Sequence, residues 1–247
     1  MDTMNTKVVT CCQINMQKSK AAAIELNNGS DSIVLITEPS KIRNLNRANT
    51  QIFFHEGHQS PRAAIRVDQD LSPWLVPEYS DRDMCVVAVK LESKLVYVCS
   101  LYLDINLEVC RRSFSRLIDW CNRERISLIV GMDSNAHSPL WGCPDKNERG
   151  EALEEVLLTQ NLTLLNVGHV STFVTKRAES IIDLTVVNCY ALENLNLEGW
   201  KVETEDSFSD HRYISFSIGK YKPAEQMFRN LKKANWALYE EILGNQE

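Results

Sequence analysis

Apolar runs of strand length recur from one end of this chain to the other, and few stretches between them carry a helical period. Val8-Val9-Thr10-Cys11-Cys12-Gln13-Ile14-Asn15 and Ser32-Ile33-Val34-Leu35-Ile36-Thr37-Glu38 read as buried strands, joined by a helix through 21–26 that stops at Asn28-Gly29. Further strands are expected at 51–54, 62–67, 84–91, 94–102, up to Met132, and at 162–166, 181–188 and 212–218. The turn at Glu92-Ser93-Lys94 makes a hairpin of two of them. Between 106 and 124, Leu107, Cys110, Phe114, Leu117, Ile118 and Cys121 recur at spacings of three and four, which predicts an amphipathic helix. Another helix is expected over 150–160. The sum is the α+β class, two mostly antiparallel sheets face to face with helices outside.

Several of these strands end in residue types that do chemistry. The first strand, helix and strand place Asn15 and Glu38 at the C-terminal ends of neighbouring strands, where open sheets build sites. Leu128-Ile129-Val130 carries Asp133 and Asn135 to a sheet edge, and Ser209-Asp210-His211 opens the run Tyr213-Ile214-Ser215-Phe216. Asp183 stands inside Ile181-Ile182-Asp183-Leu184-Thr185-Val186-Val187, where an isolated buried carboxylate is costly and needs a reason. A carboxylate two residues before an amide, with a distant Asp-His pair, suits metal-assisted attack on a phosphodiester.

With 247 residues, 44% of them hydrophobic, the chain can bury a large core as one domain. Composition shifts only near residue 220: 1–222 is the expected catalytic domain and 223–247 a basic amphipathic connector, with Phe228, Leu231, Trp236, Tyr239 and Leu243 on its apolar side. The eight cysteines lack a Cys-x-x-Cys pair and mostly sit in apolar runs, as reduced core thiols do. No apolar run approaches bilayer length, so a soluble, intracellular protein without a membrane partner is expected. A net charge of −6 argues against coating nucleic acid by bulk electrostatics but leaves room for a local basic face. Residues 40–66 hold Lys41, Arg43, Arg47, Arg62 and Arg66 against Glu56, while 192–210 are acidic; solvated loops explain either segment equally well.

The ordered motifs Gln13-Ile14-Asn15, Thr37-Glu38-Pro39, Ser100-Leu101-Tyr102, Asp133-Ser134-Asn135, Ser180-Ile181-Ile182-Asp183 and Ser209-Asp210-His211 resemble the endonuclease/exonuclease/phosphatase family. Asn135-Ala136-His137-Ser138-Pro139-Leu140-Trp141-Gly142, Asn147-Glu148-Arg149-Gly150 and Ser171-Thr172-Phe173 resemble the apurinic/apyrimidinic-like endonuclease domains of non-LTR retrotransposons, particularly the jockey-like branch. The resemblance implies a four-layer, deoxyribonuclease I-like sandwich. It implies a Mg²⁺-dependent DNA endonuclease, Mn²⁺ being able to substitute, that nicks one strand to leave a 3′-hydroxyl and a 5′-phosphate. The new 3′ end would prime a reverse transcriptase carried on the same polyprotein beyond the connector. The isolated domain is expected to be monomeric, to bind double-stranded DNA, and to work in the nucleus after synthesis in the cytoplasm.

Carried over residue by residue, the resemblance gives Glu38 as metal ligand with Asn15 and Asp210 lining the same region. It makes Asp133 the residue that orients or deprotonates water, Asn135 its positioning amide, His211 a donor to phosphate held by Asp183, and Tyr102 a phosphate contact. Where relatives often continue with Pro-Asn after this tyrosine, Leu103-Asp104-Ile105 stands here. Arg43, Arg47 and Arg62 are candidates for the DNA face, and Thr172 and Ser180 are matched to positions that face DNA or that support the catalytic residues. Lys176 and Arg177, at the tip of an expected hairpin over 174–179, are also candidates for the DNA face. His55, His58 and His137 carry no assigned chemistry, and Trp141 is expected to be a packing anchor. An abasic-site repair enzyme, a lipid or inositol phosphodiesterase on the same fold, and an inactive interaction module are the rival readings.

Overall fold

In the computed structural model, which describes residues 7–57, 60–109 and 111–221, the strands pair into two six-stranded mixed sheets. The first contains β1 (Lys7–Asn15), β2 (Ile33–Thr37), β3 (Thr50–Phe54), β4 (Ala63–Asp68), β13 (Leu197–Val202) and β14 (Ile214–Tyr221), in the order β13-β14-β1-β2-β4-β3. The second contains β5 (Trp74–Leu75), β6 (Met84–Leu91), β7 (Lys94–Tyr102), β8 (Ser127–Asp133), β9 (Leu162–Leu164) and β12 (Asp183–Asn188), in the order β5-β6-β7-β8-β12-β9. Each sheet has a single parallel pair at its centre, β1 with β2 and β7 with β8. A separate hairpin is made by β10 (Phe173–Val174) and β11 (Glu179–Ser180).

The apolar runs are continuous because the central strands are covered on both faces. Val9 and Cys11 of β1, Ile33 and Leu35 of β2, Val96 and Val98 of β7, and Ile129 of β8 fill the space between the sheets. The alternate residues Ile14, Val34 and Ile36 pack outward against α1 (Lys20–Asn28), through Ala22, Ala23 and Leu26. On the other side Cys99, Leu101, Leu128, Val130 and Met132 meet α2 (Arg112–Arg123) and α3 (Glu148–Thr159), through Phe114, Leu117, Ile118, Cys121, Leu153 and Leu157. Helix, sheet, sheet, helix are the four layers. The described cysteines are free thiols, all but Cys189 buried.

At the edge where β1, β2, β7 and β8 end, the interior turns polar. Gln13 Nε2 crosses between the sheets to the carbonyls of Met132 and Leu184, both at 3.2 Å, and Gln13 Oε1 accepts from Thr185 Oγ1 at 3.0 Å. Ser100 Oγ donates to Ile36 O at 2.8 Å. Gly131 makes this approach possible: a Cβ there would lie 2.7 Å from both Gln13 Oε1 and Leu35 Cδ1.

The expected helix over 106–124 starts only at Arg112. Asp104 Oδ1 accepts from the Asn106 amide at 2.9 Å, which closes a local turn, and the carbonyls of Ile105 and Leu107 accept from Arg149 instead of from helical amides. Leu107 is therefore exposed. The acidic stretch after 192 supplies edge strand β13, preceded by the short helix α4 (Cys189–Asn194). Cys110, His58 and the connector expected over 223–247 lie outside the described residues. No described helix is long and apolar enough to cross a membrane.

Candidate active site

Strand register brings the polar ends together. Asp183 opens β12 opposite Asp133, which closes β8, while Tyr102 closes β7 beside Asp133 and Asn15 closes β1 beside Thr37. Gln13 pairs with Ile214, so the residues just before β14, including Ser209, Asp210 and His211, arrive at the same edge. A cleft of 390 Å³ there is lined by Asn15, Glu38, Tyr102, Asp133, Asn135 and His211, with Ser180 and Phe173 on one rim.

His211 Nδ1 lies 2.7 Å from Asp183 Oδ2, and the imidazole is only 3% exposed. Burial alone pushes the imidazole down, but the Asp183 carboxylate, seconded by Asp133 and Glu38, overrides it and holds His211 up at about 9. The ring is thus cationic near neutrality, with Nε2 left for the cleft it lines. Phe173 stacks edge-on at 5.0 Å. Thr172 is fully buried and takes the supporting one of its two expected places, not the DNA face: its Oγ1 accepts from the amides of Ile182 and Asp183 at 3.1 and 3.0 Å and so fixes the carboxylate.

Asp133 is also buried. Desolvation first, then the neighbouring Asp183, raises its carboxyl well above the ordinary carboxylate range, opposed by His211 and by hydrogen bonds from Asn15 and Asn135. Asn15 Nδ2 donates to Asp133 Oδ2 at 2.7 Å and faces Glu38 Oε2 at 3.4 Å. The Asn135 amide donates to Asp133 Oδ1 at 3.2 Å. Glu38 is half-buried at a left-handed φ of 43°, a conformation that turns the chain at the strand end and is fixed by Glu38 N to Arg62 O at 2.8 Å.

Asp210 exposes its side chain, while its backbone amide donates to Gln17 Oε1 at 3.4 Å. Ser209 Oγ donates to Asn15 O at 2.8 Å and ties the Ser-Asp-His segment to β1. Glu38 and Asp210 are hard oxygen donors of the kind Mg²⁺ takes, so the chemistry of the donor set fits the expected ion. Asn15, by contrast, accepts from the Gln17 amide through Oδ1 at 2.8 Å and donates through Nδ2 to the carboxylates, which makes it the bridge between them. Among the described residues, Asp133, Asp183 and His211 bring one polar atom each within 4.8 Å of one another, but a protonated His211 has no lone pair to give an ion, so this cluster is the acid–base part of the site and not the metal seat.

The basic residues sort differently from the expectation. Arg62 is held by Asp83 through Nε and Nη2, at 2.6 and 2.8 Å, and by Asp104 through Nη1 at 2.6 Å. Its guanidinium lies 4.6 Å above the Tyr102 ring, so it is a framework cation that seats the tyrosine. Asp104 is thus given a partner by the departure after Tyr102, and its carboxyl is lowered to about 2, first by the Asn106 amide and then by Arg62. Tyr102 is pushed up to about 12 by burial and by Glu38 and Asp133. Arg47 pairs with Asp68 at 3.0 Å and donates to the carbonyls of Gly29 and Asp31. Both arginines have internal carboxylates that no local pattern announces. Arg43 is exposed.

Lys176 and Arg177 occupy the exposed tip between β10 and β11, as expected, with Thr175 Oγ1 accepting from the amides of Arg177 and Ala178. His137 pairs with Asp145 at 3.2 Å, and the buried Trp141 donates to Ala136 O at 3.3 Å. Two features had no assigned role. Lys18, Lys20, Lys41 and Arg82 line a groove of 440 Å³ beyond Glu38, and Arg149 binds the loops that follow β7 and β8. The first could be found only by folding; the second was visible as a motif without a chemistry.

A family model described as endonuclease-reverse transcriptase matches residues 96–215. The solved endonuclease domain of TRAS1, a telomere-specific non-LTR retrotransposon, superposes with a TM-score of 0.72 and 29% identity, over 85% of this chain and 97% of that one. The chain is thus similar, in sequence and in fold, to the endonuclease domains of non-LTR retrotransposons. The 115 kDa protein of the retrotransposable element R1DM of Drosophila melanogaster is 30% identical over 201 residues, 73% of this chain. The Pol polyprotein of the element R1 of Bradysia coprophila is 27% identical over 172 residues. This chain spans 19% and 16% of the length of those two relatives. An AP endonuclease from Leishmania major shares the fold, with a TM-score of 0.64 at 10% identity.

Proposed function

We propose that this chain is the DNA endonuclease domain of a non-LTR retrotransposon polyprotein, nicking one strand of duplex DNA to leave a 3′-hydroxyl that primes reverse transcription. The observation that carries the reading is the convergence, in one cleft, of a cationic His211 held by Asp183 and a proton-hungry Asp133 held by Asn15. A phosphodiester seated there meets an acid and a base on groups whose environments push them in opposite directions.

Asp133 orients and deprotonates the attacking water, its raised proton affinity suiting a base at neutral pH. His211 donates from Nε2 to a non-bridging oxygen as charge builds in the transition state. Asn135 and the Tyr102 hydroxyl donate to the same phosphate, both lining the cleft. Glu38 and Asp210, with Asn15 orienting Glu38, would hold Mg²⁺ or Mn²⁺, which when bound neutralises phosphate charge and assists departure of the 3′ oxygen.

The groove beyond Glu38 supports a polyanionic substrate. Its basic lining of Lys18, Lys20, Lys41 and Arg82 surrounds Ser40, whose buried hydroxyl has no hydrogen-bond partner among the described residues. Ser180 and the Lys176–Arg177 tip flank the other side of the cleft. Duplex DNA lying across the edge would meet both. The reverse transcriptase is the expected partner on the same polyprotein, and the nucleus is the expected place of action.

The test is conversion of supercoiled plasmid to open circle with Mg²⁺, its block by EDTA, and extension of the nick by a polymerase, which reports a 3′-hydroxyl. His211→Ala and Asp133→Ala should each lower the rate by about 10² or more. Metal-independent nicking by the pure chain would overturn the mechanism. Cleavage confined to abasic duplex would move the reading to a repair enzyme.

A further inference from the structure

Arg149 is the second residue of α3, and its guanidinium binds backbone carbonyls rather than a carboxylate. Nε donates to Asn135 O at 3.1 Å, and Nη2 to Ser134 O and Leu103 O, both at 3.2 Å. Nη1 donates to Leu107 O at 2.6 Å and Ile105 O at 3.4 Å. These acceptors belong to two loops, the one that follows Tyr102 at the end of β7 and the one that follows Asp133 at the end of β8. One side chain thereby holds together the exits of the two central strands that deliver the cleft's tyrosine and its carboxylate.

Asn135 is the residue most affected. It sits at a left-handed φ of 47°, its amide donates to Asp133 Oδ1, and its Nδ2 donates to Leu103 O at 3.1 Å. Leu103 O is therefore shared by the Asn135 side chain and by Arg149, which also takes the Asn135 carbonyl. A guanidinium carries its N–H groups in a rigid planar fork, so it fixes several carbonyls at set angles; an ammonium on a flexible stem cannot.

The position of Arg149 is itself determined by the start of α3. Asn147 caps the helix by accepting from Gly150 N at 2.8 Å and also accepts from His137 N at 3.1 Å, while Asn147 N donates to His137 O. Gly150 lets His137 O approach, since a Cβ there would be 1.8 Å from that oxygen. The motif Asn147-Glu148-Arg149-Gly150 is thus a device that docks a helix start onto the loop carrying Asn135.

We infer that Arg149 is a positioning residue of the nuclease reaction: its guanidinium sets the direction in which the Asn135 amide meets the phosphate. This rests on the nuclease reading above. A loop staple alone would be equally served by any arrangement that keeps the chain folded, whereas a positioning role makes turnover depend on guanidinium geometry.

The experiment measures kcat and KM for plasmid nicking by the full chain carrying Arg149→Ala or Arg149→Lys, with the thermal midpoint of each variant recorded. Arg149→Ala is expected to lower kcat about 10²-fold with KM nearly unchanged, the scale for a catalytic group displaced by an ångström. Guanidinium ion at sub-denaturing concentration should restore part of that kcat, and an equal concentration of sodium or ethylammonium ion should not. Arg149→Lys, which keeps the charge and serves if the alanine variant does not fold, should remain at least tenfold below wild type. Wild-type kcat in either variant, a loss confined to KM, or equal rescue by any cation would overturn the inference. Failure of the wild-type chain to nick in the same assay would instead overturn the nuclease reading on which it rests.

Discussion

Replacing Asp183 by Asn tests the acid half of the site most directly. The carboxylate lies 2.7 Å from His211 Nδ1 and is the largest influence raising an imidazole that burial alone would lower. With the carboxylate in place His211 stands at about 9, against 6.5 for an unperturbed histidine. At pH 7.5 a ring at about 9 is about 97% protonated, and one returned to the ordinary 6.5 would be roughly 9% protonated; in the variant burial pulls the ring down while Asp133 and Glu38 still raise it. Protonation alone therefore costs up to about tenfold in rate at that pH, before any loss of ring orientation. The alkaline limb of the nicking rate should move down from near pH 9 toward the ordinary histidine range. The same linkage acts on stability. A group raised in the folded state stabilises fully below its unfolded value and loses that contribution as pH climbs through its folded value, here between 6.5 and about 9. The interval corresponds to about 3 kcal/mol as an upper figure. Urea unfolding across that range should show a decline in the wild type and a flatter curve in the variant. An NMR titration of His211 that gave the wild-type and variant rings the same midpoint would refute the reasoning.

Gly131→Ala puts a methyl 2.7 Å from Gln13 Oε1 and Leu35 Cδ1, between two sheets that cannot easily part, and should cost about 1–3 kcal/mol in urea unfolding. A wild-type midpoint would mean the sheets yield there. Exchanging Lys18, Lys20 and Lys41 together for Gln should weaken DNA binding and flatten its log–log salt dependence by roughly 0.9 per phosphate contact removed. Arg47→Gln, whose partner is Asp68, should lower stability while leaving that slope alone; the reverse pattern would return Arg47 to the DNA face. Replacing residues 174–179 by a neutral turn of equal length should redistribute nick positions on a plasmid without altering the metal requirement, because the two cations at this tip are suited to following a minor groove. An unchanged nick map would place target choice in other loops.

The sequence by itself determined the central strands of both sheets, though not the edge strands β5 and β13, and the strand ends at which the polar residues stand. Strands covered on both faces need unbroken apolar runs, so Asn15, Glu38, Tyr102, Asp133 and Asp183 were legible as the polar residues at which such runs stop or begin. The hairpin at Glu92-Ser93 and the one under Lys176-Arg177 were legible for the same local reason. What lay beyond it depends on partners far along the chain. Arg62 looked like a free cation until folding set Asp83 and Asp104 against it, and whether Thr172 faced DNA or supported the catalytic residues was decided only when β12 brought the Asp183 amide onto its hydroxyl. The helical period of 106–124 ran too far because the carbonyls of Ile105 and Leu107 belong to Arg149, some forty residues on. Charge and periodicity are properties of the local sequence; which carboxylate or carbonyl answers a given donor is decided only when the sheets close on one another.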